Sequence, residues 1–307
     1  MNMSDIINYS GNTHELPPRP KFIGWYEETI PIRGCRLDLD GIKELYIELS
    51  SINRKFGAGE IAGLVRDPEM SDAEWNGYQE YLLEDAFCLA ILIKGENDQQ
   101  VYGESSEVFE SEALPNPIKA IYFDNVKAWR RHAPNVDPQN RIEVYLDFGK
   151  PPLLDPTSVL SEPTPNASNV SVRADDMTYF RAVQKVVDDK LLSHRTWYSA
   201  IHGSFAYDVG IWLVALPAGL VIATFYMESL LPVGSRLEVY RWAFFIYALG
   251  LTVLGYRFVT GYAKWAFPVN VLADNKDRSV RHRVALGGIF AALGYKAFDA
   301  VYSLLPF

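Results

Sequence analysis

"GIWLVALPAGLVIATFYM", residues Gly210–Met227, carries no charged side chain, in a chain whose formal net charge is −9. With Val209 the uncharged run has 19 residues, and as a helix it would be roughly 28 Å long, close to the hydrocarbon thickness of a bilayer. Trp212 and Tyr226 lie near its ends, where interfacial aromatic side chains are favoured. A buried helix of a globular core is the alternative. The run predicts a first membrane span over about 209–227.

A second apolar run, WAFFIYALGLTVLGY, covers Trp242–Tyr256 and predicts a second span over about 241–263. Few positive charges lie between the spans, whereas basic residues precede the first and follow the second: Arg181, Lys185, Lys190, Arg195, Arg257, Lys264, Lys276, Arg278, Arg281 and Arg283. Because positive charges favour the cytoplasmic side, we expect a helical hairpin with both ends in the cytoplasm. The N-terminus does not resemble a signal peptide, so we expect a cytoplasmic N-terminal domain on the bacterial inner membrane.

The last apolar stretch, Val284–Phe307, is interrupted by Lys296 and Asp299. On a helix these two residues share a face, and an ionisable pair at membrane depth must face protein or water. The stretch predicts a third membrane-associated helix over about 284–305. This helix either enters the membrane or lies in its interface as an amphipathic helix.

Polar and helix-breaking residues of the predicted membrane domain are the candidates for a pore or gate. Pro217 removes one backbone hydrogen bond within the first span, which is tolerated where neighbouring helices satisfy the backbone. Asp208 and Glu228 bracket that span and would form carboxylate rings in an oligomer, and such rings attract cations. Together with Lys296 and Asp299, these residues form the predicted pore or gate.

Charge divides the chain into an acidic part and an apolar, mildly basic part. Residues 1–200 hold 20 Lys and Arg against 32 Asp and Glu, whereas residues 201–307 hold nine against six. This division predicts a soluble domain followed by a membrane domain. The expected boundaries are a disordered N-terminus at 1–20, a cytosolic sensor at 21–150, a Pro- and Ser-rich linker at 151–173, a stalk helix at 174–204 and a transmembrane domain at 205–307.

The acidic part predicts an α+β fold with a largely antiparallel sheet. Residues 21–34 have the pattern of a strand, and residues 38–59 that of a helix capped by Asp40 and ended by Gly57 and Gly59. SDAEWNGYQEYLLED begins with a capping box and predicts a second helix, after which four strand patterns follow. The apolar stripe of the stalk helix serves either ordinary domain packing or self-association.

No catalytic, cofactor or metal motif emerges from the sequence. The five histidines are scattered, and the two cysteines, Cys35 and Cys88, have no paired spacing, so neither a metal cluster nor a disulfide framework is indicated. The segment FGAGEIAG lacks the Lys-Ser/Thr of a phosphate loop and follows a helix rather than a strand. We expect a protein without enzymatic activity, metal or cofactor.

A basic run with an aromatic residue, KAWRRH, lies between two predicted strands of the acidic domain. Phosphate groups need cations, and an unpaired base needs a flat ring on which to stack. The predicted ligand-binding residues are Lys127, Trp129, Arg130, Arg131 and His132. Residues flanking the neighbouring strands would widen this patch: Lys94, Lys119 and Arg141. The alternative is a solvated basic loop or helix end that pairs with local acids.

A sensor of about 150 residues, a Pro- and Ser-rich linker, a stalk helix and a C-terminal hairpin follow one another along the chain, with the segment LDFGKPPLLDP at the boundary of sensor and linker and SEPTPNAS within the linker. This layout resembles the membrane effectors of bacterial antiphage abortive-infection systems, in which a cue or nucleotide signal releases a pore that collapses the membrane gradient. It is similar in particular to the channel subunits of Hailong systems. There, a nucleotidyltransferase-like partner makes single-stranded DNA oligomers that bind the channel and hold it closed. The resemblance implies an ion channel of antiviral defence with a DNA-binding sensor.

Two functions follow from these patterns. The first is a gated ion channel whose cytosolic domain binds a nucleotide or a single-stranded oligonucleotide. Two spans per chain cannot enclose an aqueous path, so this function requires a homo-oligomer in the bilayer, such as a tetramer or pentamer. The second is a non-conducting, membrane-anchored adaptor that recruits a partner enzyme. The broken span, its glycines and the polar face of the tail favour the channel.

Overall fold

The computed structural model describes residues 24–133, 137–153, 163–203, 209–275, 280–288 and 291. The predictions for the N-terminus 1–20, for Asp208 and for Lys296 and Asp299 lie outside these residues. The elements in chain order are β1 (Tyr26–Pro31), β2 (Arg36–Leu37), α1 (Leu39–Ala62), α2 (Asp72–Asp85), β3 (Ala90–Gly95), β4 (Gln100–Gly103), β5 (Ile118–Asp124), α3 (Val126–His132), β6 (Arg141–Asp147), β7 (Asn169–Ala174), α4 (Met177–Lys190), α5 (Leu216–Leu230), α6 (Arg241–Ala266) and β8 (Val271–Leu272).

Short helical segments complete the described chain. Four are 3₁₀ helices, at Ser106–Glu110, Leu192–His194, Trp197–His202 and Glu238–Tyr240, and a π-helical segment, Gly210–Ala215, leads into α5. Residues 280–288 are helical as well. This helix overlaps the start of the predicted third membrane-associated helix.

A six-stranded sheet in the order β1-β7-β6-β5-β3-β4 forms the centre of the N-terminal domain, and every neighbouring pair is antiparallel. The expected antiparallel α+β domain is thus confirmed. Alternate residues of each central strand are buried on one face, where α1 and α4 pack. Because side chains alternate across a strand, the residues between them lie on the opposite face of the sheet.

Helix α1 begins and ends differently from the prediction. Asp38, not Asp40, is its N-cap, with the carboxylate accepting a hydrogen bond from Gly41 N at 2.8 Å. Gly57 does not end the helix, which continues to Ala62. A Cβ at Gly57 would lie 2.4 Å from the Phe87 ring, so this glycine permits a close approach between α1 and the segment before β3. The capping box predicted for α2 is present at Ser71.

The predicted linker and stalk helix are both corrected by the structure. The end of the linker forms β7, which pairs on both sides with β1 and β6. The stalk helix is wrong because α4 packs on the sheet and buries its stripe, Tyr179, Phe180, Val183 and Val187, in the main core. Burial of each such side chain is worth about 1.5–3 kcal/mol, so the stripe serves domain packing.

Two helices are long and apolar enough to cross a membrane: Gly210–Leu230 and Glu238–Ala266, with 21 and 29 residues. In the most apolar 18-residue stretch of each helix, the buried share is 17% in the first helix and 0% in the second. The core helix of a soluble domain would be mostly buried. The two helices pack on each other as a hairpin through a close approach at Gly219, where a Cβ would lie 2.3 Å from Thr252 Oγ1. Pro217 follows the π-helical segment, which accommodates the missing backbone donor.

The chain after the hairpin returns to the N-terminal domain. Strand β8 pairs in parallel with β2, and Asn270 between α6 and β8 is 2% exposed. The domain therefore consists of residues from both sides of the hairpin, a feature that the predicted boundary at residue 150 missed.

Candidate functional site

The open face of the sheet carries a row of aromatic side chains. Tyr102 of β4 and Tyr122 of β5 both lie opposite Leu92 of the intervening strand β3, and Tyr145 of β6 lies opposite Tyr122. The rings of Tyr122 and Tyr145 are 6.5 Å apart at their centroids. Tyr102 is 52% exposed, and the other two tyrosines are partly exposed. Flat rings on an open antiparallel sheet form a surface on which unpaired bases can stack.

Two lysines border this row. Lys127 Nζ lies 5.6 Å from the ring centroids of both Tyr102 and Tyr122, and Lys94 lines the same depression of about 290 Å³. Among the described residues Lys94 forms no ion pair, and the ion pair of Lys127 with Asp124 is long, at 4.0 Å. The depression therefore combines ring surfaces with two ammonium groups, which suits a phosphate-bearing aromatic ligand.

Asp124 fixes the start of α3 beside this depression. Its Oδ1 accepts a hydrogen bond from Lys127 N at 2.7 Å, and the side chain is almost fully buried. Burial raises the pKa of Tyr122, and the nearby carboxylate of Asp124 raises it further. Burial likewise raises the pKa of Tyr102. The tyrosines of the row therefore stay neutral at physiological pH and present uncharged rings.

The predicted ligand-binding residues of α3 separate into two groups. Lys127 and Arg130, three positions apart, both lie towards the open face, where Arg130 donates to Asp137 at 3.0 Å. Arg131 instead donates to both carboxylate oxygens of Glu104, at 2.9 and 3.0 Å. It therefore holds α3 against the segment after β4.

The other two predicted residues also have structural partners. His132 Nε2 lies 2.7 Å from Asp85 Oδ2, at the end of α2. The Trp129 ring meets the Phe87 ring edge-on at 5.4 Å between centroids, in a small apolar cluster with α1 and α2. The helix thus contributes Lys127 and Arg130 to the open face, and the aromatic surface there comes from tyrosines of the sheet.

The junction between the hairpin and the domain is built from polar contacts that the sequence patterns did not indicate. His202 Nε2 donates a hydrogen bond to the Phe267 carbonyl oxygen at 2.6 Å, and His202 Nδ1 lies 2.8 Å from Thr164 Oγ1. Because a carbonyl only accepts, Nε2 carries the proton and Nδ1 accepts from the threonine hydroxyl. Burial lowers the pKa of His202, which favours this neutral form.

Three side chains of the returning segment bind the domain. Asn270 accepts from Cys35 N at 3.2 Å and donates to the Asp147 carbonyl oxygen at 3.0 Å. Asp274 accepts from Leu39 N at 2.6 Å, at the start of α1. Asn275 bonds both the N–H and the C=O of Ile118 in β5, at 2.9 and 2.8 Å. The end of α6 is therefore fastened to the sheet and to α1.

A cleft of about 680 Å³ lies at this junction. Its lining includes Trp265 of α6, Phe148, Lys150 and Glu96, together with parts of the returning segment. The Lys150 ammonium lies 5.1 Å from the Trp265 ring centroid. The cleft places the C-terminal end of α6 beside the ends of strands β3, β5 and β6.

Of the predicted pore or gate residues, the structure describes Pro217 and Glu228, both in α5. Glu228 is exposed near the end of the helix that is remote from the sheet domain. Among the described residues there is no group of three or more His, Cys, Asp or Glu side chains that could hold a metal ion. Comparisons with protein-family models, with curated proteins and with solved structures give no match for this chain.

Proposed function

We propose that this protein is an oligomeric, gated ion channel of antiviral defence, controlled by a cytosolic domain that binds a nucleotide or single-stranded oligonucleotide. In this proposal the hairpin spans the bacterial inner membrane and the sheet domain lies in the cytoplasm. The defence role follows the resemblance in layout to abortive-infection effectors. A nucleotidyltransferase-like partner enzyme would supply the ligand.

The exposed surface of the hairpin supports a membrane-embedded oligomer. Large apolar side chains are exposed on both helices, including Trp212, Phe225, Trp242 and Ile246 at 64%, 73%, 80% and 71%. Such a surface marks a site of contact with a membrane or with another protein chain. Since two helices enclose no pore, conduction requires a ring of hairpins, such as a tetramer or pentamer.

The observation that carries the gating proposal is the double attachment of the hairpin to the sheet domain. The chain before the first span and the chain after the second are joined by the bond from His202 to Phe267. Helix α6 is 26 residues long, roughly 39 Å, so it extends beyond a hydrocarbon core of about 30 Å and reaches the domain as one rigid element. Asn275, in the segment that follows α6 and β8, bonds the backbone of β5, the strand that carries Tyr122.

The open face of the sheet supports the ligand class. Bases would stack on the tyrosine row of Tyr102, Tyr122 and Tyr145, while Lys94 and Lys127 would bind phosphate. A ligand that displaces β5 would act on α6 through Asn275. Through these contacts, ligand binding would favour one of two arrangements of the hairpin over the other.

The first test measures ligand binding by the purified protein in detergent. Lys94→Gln plus Lys127→Gln should weaken single-stranded DNA binding at least tenfold. The slope of log affinity against log salt should become shallower by about 1.4, the value expected for two lost phosphate contacts on a single strand. Lys119→Gln, exposed on the same strand β5 but outside the depression, is the matched control. Absence of binding at low salt would remove the ligand from the proposal.

The second test measures current in planar bilayers. The wild-type protein should conduct, and its open probability should change when single-stranded DNA is added on the side of the sheet domain. Replacement of Glu228 by Gln should alter the reversal potential under a salt gradient if this carboxylate lies at the pore mouth. A protein that inserts but never conducts, with or without ligand, would instead be a membrane-anchored adaptor.

A further inference from the structure

Two arginines lie directly opposite each other on the open face of the sheet. Arg141 of β6 pairs in register with Arg173 of β7, and like charges in such cross-strand positions repel. Arg141 is balanced by ion pairs with Glu143 and with Asp137. Arg173 forms no ion pair among the described residues. Arg173 therefore lies beside a second cation, Arg141, and has no carboxylate paired with its own guanidinium in the described part of the chain.

Arg173 is held in place by a ring rather than by an acid. Its guanidinium carbon lies 4.2 Å from the ring centroid of Trp25, which is 40% exposed. A guanidinium stacked on an indole keeps its N–H groups at the edge of the plane, available for a two-point contact with a phosphate. Glu27 lies opposite Arg173 in β1 but makes no ion pair with it in the described part of the chain.

A third arginine belongs to the same cluster. Arg130 from α3 bonds Asp137, and the pKa of Asp137 is lowered first by this hydrogen bond and then by the charges of Arg141 and Arg173. The cluster thus contains three guanidinium groups and three carboxylates, Asp137, Glu143 and Glu27 opposite Arg173. In the described part of the chain only Arg130 and Arg141 form ion pairs with these carboxylates, so the guanidinium of Arg173, stacked on Trp25, is the group left to bind an anion.

We propose that Arg141 and Arg173 form a phosphate-binding subsite that extends the tyrosine row, so that the ligand is a multi-nucleotide single strand rather than a mononucleotide. This inference rests on the proposed nucleotide-binding function. Arg173 contributes the two-point contact, Trp25 holds its plane, and Arg130 adds positive charge from α3.

The distance between the tyrosine row and the arginine pair sets a minimum length for the ligand. Arg141 and Tyr145 are four residues apart on β6, or roughly 13 Å along the strand, and Arg173 lies one strand further, about 5 Å away. A strand that stacks on Tyr122 and Tyr145 must continue through more than one further nucleotide before its backbone meets the arginine pair. A mononucleotide or dinucleotide stacked on the tyrosines cannot make this contact.

The experiment compares the binding of a dinucleotide and a hexanucleotide of thymidine, both without terminal phosphates, to the full-length protein. Wild-type protein should bind the hexanucleotide at least tenfold more tightly than the dinucleotide. Arg173→Gln should abolish most of this gain and leave dinucleotide affinity within twofold of wild type. Arg173→Lys should restore only part of the gain, because lysine keeps the charge but lacks the planar fork. Arg36→Gln, an exposed arginine of β2, is the control and should change neither affinity.

The outcomes separate this inference from the proposed function. The subsite is refuted, while the tyrosine site remains, if both oligonucleotides bind wild-type protein equally. It is also refuted if the Arg173→Gln variant still binds the hexanucleotide more tightly than the dinucleotide by the full wild-type ratio. If neither oligonucleotide binds at low salt, the proposed function has lost its ligand. Inorganic phosphate at matched ionic strength should not displace the hexanucleotide. Displacement would identify a site for free anions and overturn the proposal that the arginine pair extends the tyrosine row. Melting temperature checks that each variant is folded.

Discussion

His202 donates a hydrogen bond from Nε2 to the carbonyl oxygen of Phe267, 2.6 Å away, and so joins the chain before the hairpin to the chain after it. The two residues are 65 positions apart. Between them lie both candidate membrane spans. This contact makes the base of the hairpin a closed loop, which transmits a displacement of either end to the other.

Replacement of His202 by Ala should uncouple ligand occupancy from conductance. The variant loses the bond to Phe267 and leaves a partly buried carbonyl without this donor, a cost of about 1–3 kcal/mol. Oligonucleotide affinity should stay within twofold of wild type, whereas the change in open probability on ligand addition should shrink. His194→Ala, at an exposed position before the junction, is the control. Full ligand dependence in the His202 variant would contradict a role in gating.

Replacement of Asn270 by Ala should detach the returning segment from the domain. The side chain bonds Cys35 N, the Asp147 carbonyl oxygen and Ser168 Oγ, and its removal deprives all three of a buried partner and leaves Cys35 N without an acceptor among the described residues. We expect a loss of about 3 kcal/mol in unfolding free energy, measured by thermal denaturation in detergent. Asn169→Ala should be nearly neutral, because among the described residues that side-chain amide bonds only the nearby Ala167 carbonyl. Equal melting temperatures of the two variants would refute this assignment.

Replacement of Gly219 by Val should separate the two helices of the hairpin. A Cβ at this position would lie 2.3 Å from Thr252 Oγ1, so α5 and α6 cannot keep their distance. Overpacking of this kind costs about 1–3 kcal/mol and should lower the melting temperature and the yield of intact oligomer. Gly250→Val is the matched control, since no atom of the described protein lies within 4 Å of a Cβ there. An identical loss in both variants would point to helix propensity instead of packing.

The stability of the sheet domain should fall as pH rises from 5 to 8 through Glu60. Burial raises the pKa of this carboxyl group to about 7, although Asn140 donates a hydrogen bond to it. The folded protein therefore keeps a proton that the unfolded chain releases near pH 4.5. The resulting stabilisation is present below that pH and is lost as pH passes about 7. The melting temperature of Glu60→Gln, relative to wild type, should increase with pH. Parallel curves would exclude this assignment.

The hairpin orientation is testable by labelling cysteines in intact cells. Val233, which lies between the two spans and is 75% exposed, is the position for the outer label. Val233→Cys should react with a membrane-impermeant maleimide from outside, because few positive charges flank that loop. Glu112→Cys, exposed on the sheet domain, should not react, and both natural cysteines are buried. The reverse labelling pattern would place the sheet domain outside the cytoplasm.

Sequence patterns predicted the elements of the fold whose signals come from residues close together in the chain. The capping box at Ser71, the strands around Tyr122 and Tyr145, and the two apolar helices all follow from residues close in sequence. Strand β7 was missed because a short alternating run directly after a proline-rich stretch resembles a linker. The packing of α4 on the sheet does not follow from its sequence, since the apolar stripe also fits a helical seam.

The candidate site could be predicted only in part for a similar reason. KAWRRH indicated a cationic segment, but the partners of Arg131 and His132, Glu104 and Asp85, come from distant elements. The tyrosine row requires the strand order β6-β5-β3-β4, which no single strand reveals. The alternation in VYG, IYFD and VYLD does show that each tyrosine faces away from the core.

The return of residues 267–275 to the sheet domain determines the order in which the protein can be completed. The ribosome releases the N-terminal strands first, but Asn270 and β8 emerge only after both apolar helices have been made. Until then Cys35 N and the end of β2 lack their native partners, so the sheet domain cannot be completed before the hairpin has been synthesised. If the hairpin enters the bilayer as proposed, insertion precedes the last step of domain folding.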